Sequence, residues 1–323
     1  MKRYDEIAEL NKRLANEIAN CERDGDYDRG IELKRELYGN KLEMLDLLET
    51  GSSDGEGVTL NEAIEMLENM PARVKYETGV PSIDRHLDGG IEEHQLLMLG
   101  GEKGAGKTAF AMQIMYNVSR GHSSVLFTYE MPAWKIALRM KKNRLSTSER
   151  NRIRIVEKGR DIDQIEKSIK GHAAKGTKFF VIDSLMKITN RRLAAKRNEQ
   201  ISDITSRLSR LCVEQGVIVI LIVQVSKDDL KNGHMAIKGS GDADYDADIM
   251  LFFTKDKNME NKRTMICEKN RQNGIEFKEE LIIDKTTVTM QPYTAMASME
   301  VVYEDIPKDS PGRNDTIEMT IIG

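Results

Sequence analysis

Eight residues from Gly101 to Thr108 read Gly-Glu-Lys-Gly-Ala-Gly-Lys-Thr, a GxxxxGK[ST] pattern. They follow the apolar run Leu96–Leu99 and lead into a helix-forming run from Ala109 to Val118, the strand–loop–helix setting that a phosphate-binding loop requires. The glycines let backbone N–H groups turn inward around a β-phosphate, and the helix N-terminus adds a favourable dipole. In such a loop Lys107 neutralises β- and γ-phosphate oxygens, and the Thr108 hydroxyl coordinates Mg²⁺. The expected nucleotide contacts are therefore Gly101, Glu102, Lys103, Gly104, Ala105, Gly106, Lys107, Thr108 and Ala109, with ATP or another NTP as ligand.

Three more polar residues end apolar runs. Asp183 closes Phe179–Ile182, where a carboxylate beside the loop would hold the metal. Glu130 closes Val125–Tyr129, where a base could polarise the attacking water. Gln224 closes Val217–Val223, where an amide could sense the γ-phosphate. Each taken singly also reads as an ordinary polar strand end. Three of them capping three consecutive apolar strands make a stronger pattern.

Those runs, with Ile249–Phe253, alternate with stretches of helical spacing, which predicts a parallel α/β sheet covered on both faces. After Thr264 the pattern becomes half-buried alternation through Phe277, Leu281 and Ile283, which predicts antiparallel strands closing the sheet. Upstream, Tyr4, Ile7, Leu10, Leu14 and Ile18, then Ile31, Tyr38, Leu42, Leu45 and Leu48, predict a helical hairpin broken at Asp24-Gly25-Asp26. This hairpin resembles the one at the end of the UvrB repair protein. The expected organisation is a hairpin over 1–50, a linker and linker helix over 51–74, an ATPase domain over 75–296 and an acidic tail over 297–323. Gly51 to Gly57 reads as flexible linker, Thr59-Leu60-Asn61-Glu62 as a capping box, and the tail as partly disordered.

Composition narrows the class. The 323 residues are 39% hydrophobic with a net charge of -4, enough apolar content for a packed core. No apolar run approaches the ~18 residues of a membrane span, and the first residues do not read as a secretory signal. Cys21, Cys212 and Cys267 are widely spaced, which predicts reduced thiols in a cytoplasmic protein and excludes a cysteine-based zinc site. Charge is uneven: residues 135–160 hold ten basic groups against two acidic, and 187–199 hold five against one. The longer run reads as a solvated helical face; the shorter is a candidate polyanion surface.

The motifs TGVPSIDRHLDGG (78–90), GGEKGAGKTAFAMQI (100–114), LFTYEM (126–131), VIDSLMKI (181–188), LIVQVSKDDLK (221–231), KGSGDADYDADIMLFF (238–253) and EKNRQNG (268–274) occur in a fixed order. Together they resemble the RecA-type motor domain of the DnaB/Twinkle group of hexameric replicative helicases, over about two thirds of the chain. The resemblance implies Glu130 as catalytic glutamate, Asp183 as Walker B acid and Gln224 as γ-phosphate sensor. It implies that Lys269 and Arg271, the K-x-R pair on an antiparallel strand, enter the neighbouring subunit's ATP site, and that the helix at 59–70 docks on that neighbour. Two loops would face a central channel and hold single-stranded DNA: Lys187 to Gln200 with Arg191, Arg192, Lys196 and Arg197, and Asp228 to Ser240 with Lys231, Lys238, Gly239 and Ser240. Neither contains an aromatic residue, so sequence-independent phosphate contacts are expected rather than base stacking.

The implied protein is a bacterial or phage-encoded, cytoplasmic, hexameric DNA helicase using ATP and Mg²⁺ at a replication fork. It would work with a separate primase, loader or polymerase, because no primase segment is present. Two other functions share the fold: a RadA- or recombinase-like DNA-dependent ATPase, and a loader or regulatory ATPase that remodels protein.

Overall fold

The computed structural model describes residues 2–51, 58–69, 74–193, 196–225, 243–284 and 286–293. The chain forms two compact units, Met1–Ala72 and Arg73–Gly323. The acidic tail 297–323, most of the 51–57 linker and the second basic loop with Lys231, Lys238, Gly239 and Ser240 lie outside the described residues.

In the first unit, α1 (Lys2–Asp24) and α2 (Tyr27–Gly51) form the hairpin. Leu14, Ile18 and Leu33 are buried together against Cys21 and Leu37. Helix α3 (Leu60–Asn69) starts at a reciprocal cap: the Thr59 amide donates to Glu62 Oε2 (2.7 Å) and the Glu62 amide to Thr59 Oγ1 (3.3 Å). Its apolar stripe of Leu60, Ile64 and Leu67 is exposed.

The second unit opens with β1 (Lys75–Tyr76), α4 (Pro81–His86) and β2 (Ile91–Glu92), the two strands pairing antiparallel. The main sheet begins with β3 (Leu96–Gly101), followed by α5 (Lys107–Val118) and β4 (Ser124–Thr128). Next come α6 (Ala133–Met140), α7 (Thr147–Arg152), β5 (Ile153–Val156) and α8 (Ile162–Ala173). Then follow β6 (Phe179–Asp183), α9 (Arg197–Gln215), β7 (Ile218–Ile222) and the single turn α10 (Ala243–Asp246). The chain closes with β8 (Ile249–Lys255), β9 (Lys262–Asn270), β10 (Phe277–Asp284) and β11 (Thr289–Pro292).

These strands build one nine-stranded sheet in the order β11-β10-β9-β8-β3-β7-β6-β4-β5. Strands β3 to β8 run parallel, and β8 to β11 run antiparallel. Apolar residues alternate between two separate cores. Leu97, Leu99 and Val181 face one with Phe110 and Ile114 of α5, while Leu96, Met98 and Ile182 face the other with Ile165 of α8 and Leu208 of α9. A sheet buried on both faces explains why its central strands are continuously apolar.

One expectation is corrected. The basic run 135–160 is not a helical face throughout, because Ile153–Val156 forms the edge strand β5, paired with β4. Ile153 and Ile155 reach the core while Arg154 points outward, an alternation that the surrounding basic residues hide in the sequence.

Candidate active site

The sheet register sets the site. Thr128 of β4 and Ile222 of β7 flank Asp183, and Ile222 in turn pairs with Leu99 of β3. Two residues beyond Thr128, Ile222 and Leu99 stand Glu130, Gln224 and Gly101, which share one row at the carboxyl edge, with Asp183 two residues behind that row. The chain leaves β3 towards β4 on one side while β8 lies on the other, which makes this edge a topological switch point, where open α/β sheets bind ligands.

The loop is tightly held. Gly101 has φ 141°, and a Cβ there would stand 2.4 Å from the Phe253 carbonyl oxygen, so only glycine fits. Lys107 is buried, and its Nζ donates to the carbonyls of Gly101 (2.7 Å) and Glu102 (2.9 Å). Burial pulls its pKa down, and the carboxylates of Asp183, Glu130 and Glu102 oppose that shift. The Thr108 hydroxyl donates to Asp183 Oδ2 (2.8 Å). Burial pushes the Asp183 carboxyl up; the Thr108 hydrogen bond lowers it, neighbouring Glu130 raises it, and the Lys107 and Arg139 charges lower it.

Glu130 and Gln224 are exposed, and they meet. Glu130 Oε1 accepts from Gln224 Nε2 (3.3 Å) and from the Ser184 hydroxyl (2.8 Å). The structure thus brings Lys107, Thr108, Asp183, Glu130 and Gln224 into one cluster. A buried ammonium on a glycine loop, with a hydroxyl and a carboxylate side by side, offers what a triphosphate and a hard divalent cation need. The donor set fits Mg²⁺ with ATP, and Thr108 and Asp183 are the residues that would hold the metal.

Three further residues of this cluster stand out only in three dimensions. Ser184 follows the strand-end acid and orients Glu130. Arg263, buried on β9, donates Nε to the Ala105 carbonyl (3.0 Å) and so anchors the loop from the antiparallel side. Lys255, at the end of β8, brings its ammonium to within 3.1 Å of where a Cβ on Gly104 would stand, a second cation over the loop. No motif flags Arg263 or Lys255, since only the β3–β8–β9 pairing carries them to Gly104 and Ala105.

Lys269 and Arg271 lie elsewhere. Arg271 sits in the turn after β9 rather than on the strand. Lys269 Nζ and Arg271 Nη2 both donate to the Tyr245 carbonyl (3.1 and 2.9 Å), and Arg271 faces Asp248 at 3.5 Å. Asp248 in turn accepts from the amide of Leu96, the first residue of β3. The pair therefore stands at the amino edge of the sheet, a strand length of about 16 Å from the loop that ends β3.

The first basic loop leaves the 3-10 turn Leu185–Lys187 that follows β6. Arg191 and Arg192 are exposed; Arg192 pairs with Asp163 at 2.6 Å, and Arg191 approaches Asp161 at 4.0 Å. Lys196 is exposed at the start of α9, whereas Arg197 turns inward. Among the described residues no helix is long and apolar enough to cross a membrane.

Known proteins resemble this chain in sequence and in fold. The profile of the KaiC ATPases matches residues 76–294. The DNA repair protein RadA of Aquifex aeolicus is 28% identical over 153 residues, which cover 47% of this chain and 33% of RadA. The replicative DNA helicase DnaB of Helicobacter pylori is 25% identical over an alignment of 299 residues, covering 72% of this chain and 60% of DnaB. The chain thus spans between a third and three fifths of these relatives' length. Among solved structures, a DnaB-like replicative helicase, described with its interactions with primase, aligns with a TM-score of 0.62 at 18% identity, over 88% of this chain and 76% of that one. A KaiC-like protein from the hyperthermophilic archaeon Pyrococcus horikoshii aligns at 0.56, with 24% identity, over 68% of this chain and 99% of that one. Structural matches at such low identity establish the RecA-like fold alone. The KaiC match, by contrast, runs from β1 to β11 and takes in every strand that carries a site residue. The chain belongs to the KaiC ATPase family and is an ATP-hydrolysing enzyme.

Proposed function

We propose that this ATPase works as a hexameric ring that translocates on single-stranded DNA and unwinds duplex at a replication fork. The observation that carries the reading is the separation of Lys269 and Arg271 from the P-loop of their own chain. A phosphoryl-transfer site gains from a cation on the developing γ-phosphate charge, and these two cannot reach it within one chain. Stacking copies around a ring brings one copy's amino-edge pair to the next copy's carboxyl edge. The DnaB relative, aligned over 72% of this chain, supports the same reading.

In this reading Mg–ATP, when bound, supplies the γ-phosphoryl group and a cation that screens its charge. Lys107 exchanges its two carbonyl partners for phosphate oxygens. Glu130, oriented by Ser184, takes the proton of the attacking water, and Gln224 reports the γ-phosphate through the same carboxylate. Arg191, Arg192 and Lys196 track the DNA backbone, together with Lys231, Lys238, Gly239 and Ser240 of the second loop. A separate primase, loader or polymerase would complete the machinery. A second reading, a RadA-like DNA-dependent ATPase, is favoured by the Aquifex relative and shares every residue role except strand separation.

Subunit mixing tests the shared site. Arg271→Ala and Lys107→Ala proteins are each expected to be inactive. Mixed under conditions that allow subunit exchange, they should regain part of the hydrolysis, since an intact loop then meets an intact arginine. An arginine supplied in trans is worth ~10³-fold or more. Mixed rings shown to contain both variants yet without activity would exclude a trans role for Arg271.

A further inference from the structure

Arg197 belongs to the first basic loop by sequence, yet its guanidinium does not face solvent as those of Arg191 and Arg192 do. It stands at the start of α9, and Nη1 donates to the Ile188 carbonyl (3.0 Å) and, at 3.4 Å, to Gln200 Oε1. Nη2 donates to the Leu185 carbonyl (3.1 Å). Both backbone acceptors lie in the 3-10 turn and its exit, directly after Asp183 and Ser184. The same turn is closed by the Ile188 amide on the Leu185 carbonyl (3.1 Å) and the Lys187 amide on the Ser184 carbonyl (2.9 Å). No carboxylate pairs with Arg197 among the described residues, and burial pulls its pKa down. A cation held by neutral carbonyl dipoles, in a fork that spans two of them, is a brace.

What the brace connects is specific. On one side lie loop residues 189–193, tied to the first turns of α9: Gln200 Nε2 donates to the Leu193 carbonyl (3.2 Å), and Asn190 Nδ2 donates to Asp203 Oδ2 (2.6 Å). On the other side lies Ser184, whose hydroxyl holds Glu130. A shift of the first turn of α9 reaches the Leu185–Ile188 turn through this guanidinium, and a shift of the loop reaches it through the guanidinium as well as through the chain, and from there Ser184 and Glu130.

We propose that Arg197 is a positioning residue that couples occupancy of Arg191, Arg192 and Lys196 by a polyanionic strand to the orientation of Glu130, and that it is not itself a phosphate contact. The inference rests on the reading of this loop as a single-stranded DNA surface. It separates the four basic residues of the loop into two kinds: Arg191, Arg192 and Lys196 touch the strand, and Arg197 transmits its presence.

Arg197→Lys separates charge from geometry, because lysine keeps the positive charge and loses the fork. Single-stranded oligonucleotide binding and its salt dependence are expected to stay as in the wild type, with KM for ATP unchanged. The ratio of kcat with saturating oligonucleotide to kcat without it should fall to near one. The change in oligonucleotide affinity between nucleotide-free protein and protein with a non-hydrolysable ATP analogue, commonly ~5–150-fold in coupled systems, should shrink as well. Arg191→Ala/Arg192→Ala should give the opposite signature: weaker binding and a flatter salt slope, with the kcat ratio preserved once DNA saturates. The proposal is overturned if Arg197→Lys keeps the kcat ratio, if it loses affinity and salt slope as a phosphate contact would, or if the double variant abolishes the ratio at saturation. Wild-type hydrolysis that ignores single-stranded DNA altogether would overturn the motor reading itself, and the coupling with it.

Discussion

Glu130→Gln is the perturbation whose outcome the site geometry specifies most fully. The glutamine carbonyl can accept from the Ser184 hydroxyl and from Gln224 Nε2 just as Oε1 does at 2.8 and 3.3 Å, so the side chain keeps its place. What disappears is the basic charge. Proton abstraction by a positioned base contributes ~10²–10⁴-fold, or about 2.7–5.4 kcal/mol of barrier. The substitution should therefore lower the single-turnover rate of hydrolysis by that factor. Its effect on binding has the opposite sign. Glu130 raises the carboxyl pKa of Asp183, so its neutralisation leaves Asp183 more readily ionised to hold a metal. It also removes a negative charge near the triphosphate. ATP affinity, measured with a fluorescent analogue, should be unchanged or tighter. Hydrolysis within about fivefold of the wild type would remove Glu130 from the base role, and weakened ATP binding would refute the electrostatic argument.

Other consequences follow from the same geometry. Arg263→Met leaves the buried Ala105 carbonyl without its donor, which costs ~1–3 kcal/mol; it should lower both the melting temperature and ATP affinity, and a melting shift with intact ATP affinity would contradict the loop-anchor role. Arg191→Ala/Arg192→Ala should flatten the salt dependence of single-strand binding by ~0.7 in log–log slope for each phosphate no longer neutralised; an unchanged slope places the strand elsewhere. Removal of residues 1–72, the unit that carries the exposed Leu60, Ile64 and Leu67 stripe, should shift light scattering from rings towards smaller species; a full hexamer after the deletion would contradict docking of α3 on a neighbour.

The residues that end apolar runs are legible in the sequence because their chain neighbours position them. Asp183, Glu130 and Gln224 need only a parallel sheet to stand together at its carboxyl edge, and the P-loop carries its own strand–loop–helix context. Arg263 and Lys255 are not legible, because register across β3, β8 and β9 brings them to the loop and no local spacing encodes that register. Strand β5 is hidden for a different reason. At a sheet edge its alternate residues face solvent, and Arg154 there reads like its basic neighbours. Arg197 shows the limit of charge counting: five basic residues between 187 and 199 look equivalent in sequence, yet the structure turns one of them into a backbone brace.

A forked duplex with one labelled strand, incubated with the full chain, ATP and Mg²⁺, decides whether hydrolysis in this chain drives movement along DNA. The expected result is ATP-dependent release of the labelled strand and hydrolysis stimulated by single-stranded DNA, with neither in Lys107→Ala. Stimulated hydrolysis with no strand release would contradict the helicase reading in favour of a RadA-like ATPase, and hydrolysis indifferent to DNA would contradict both.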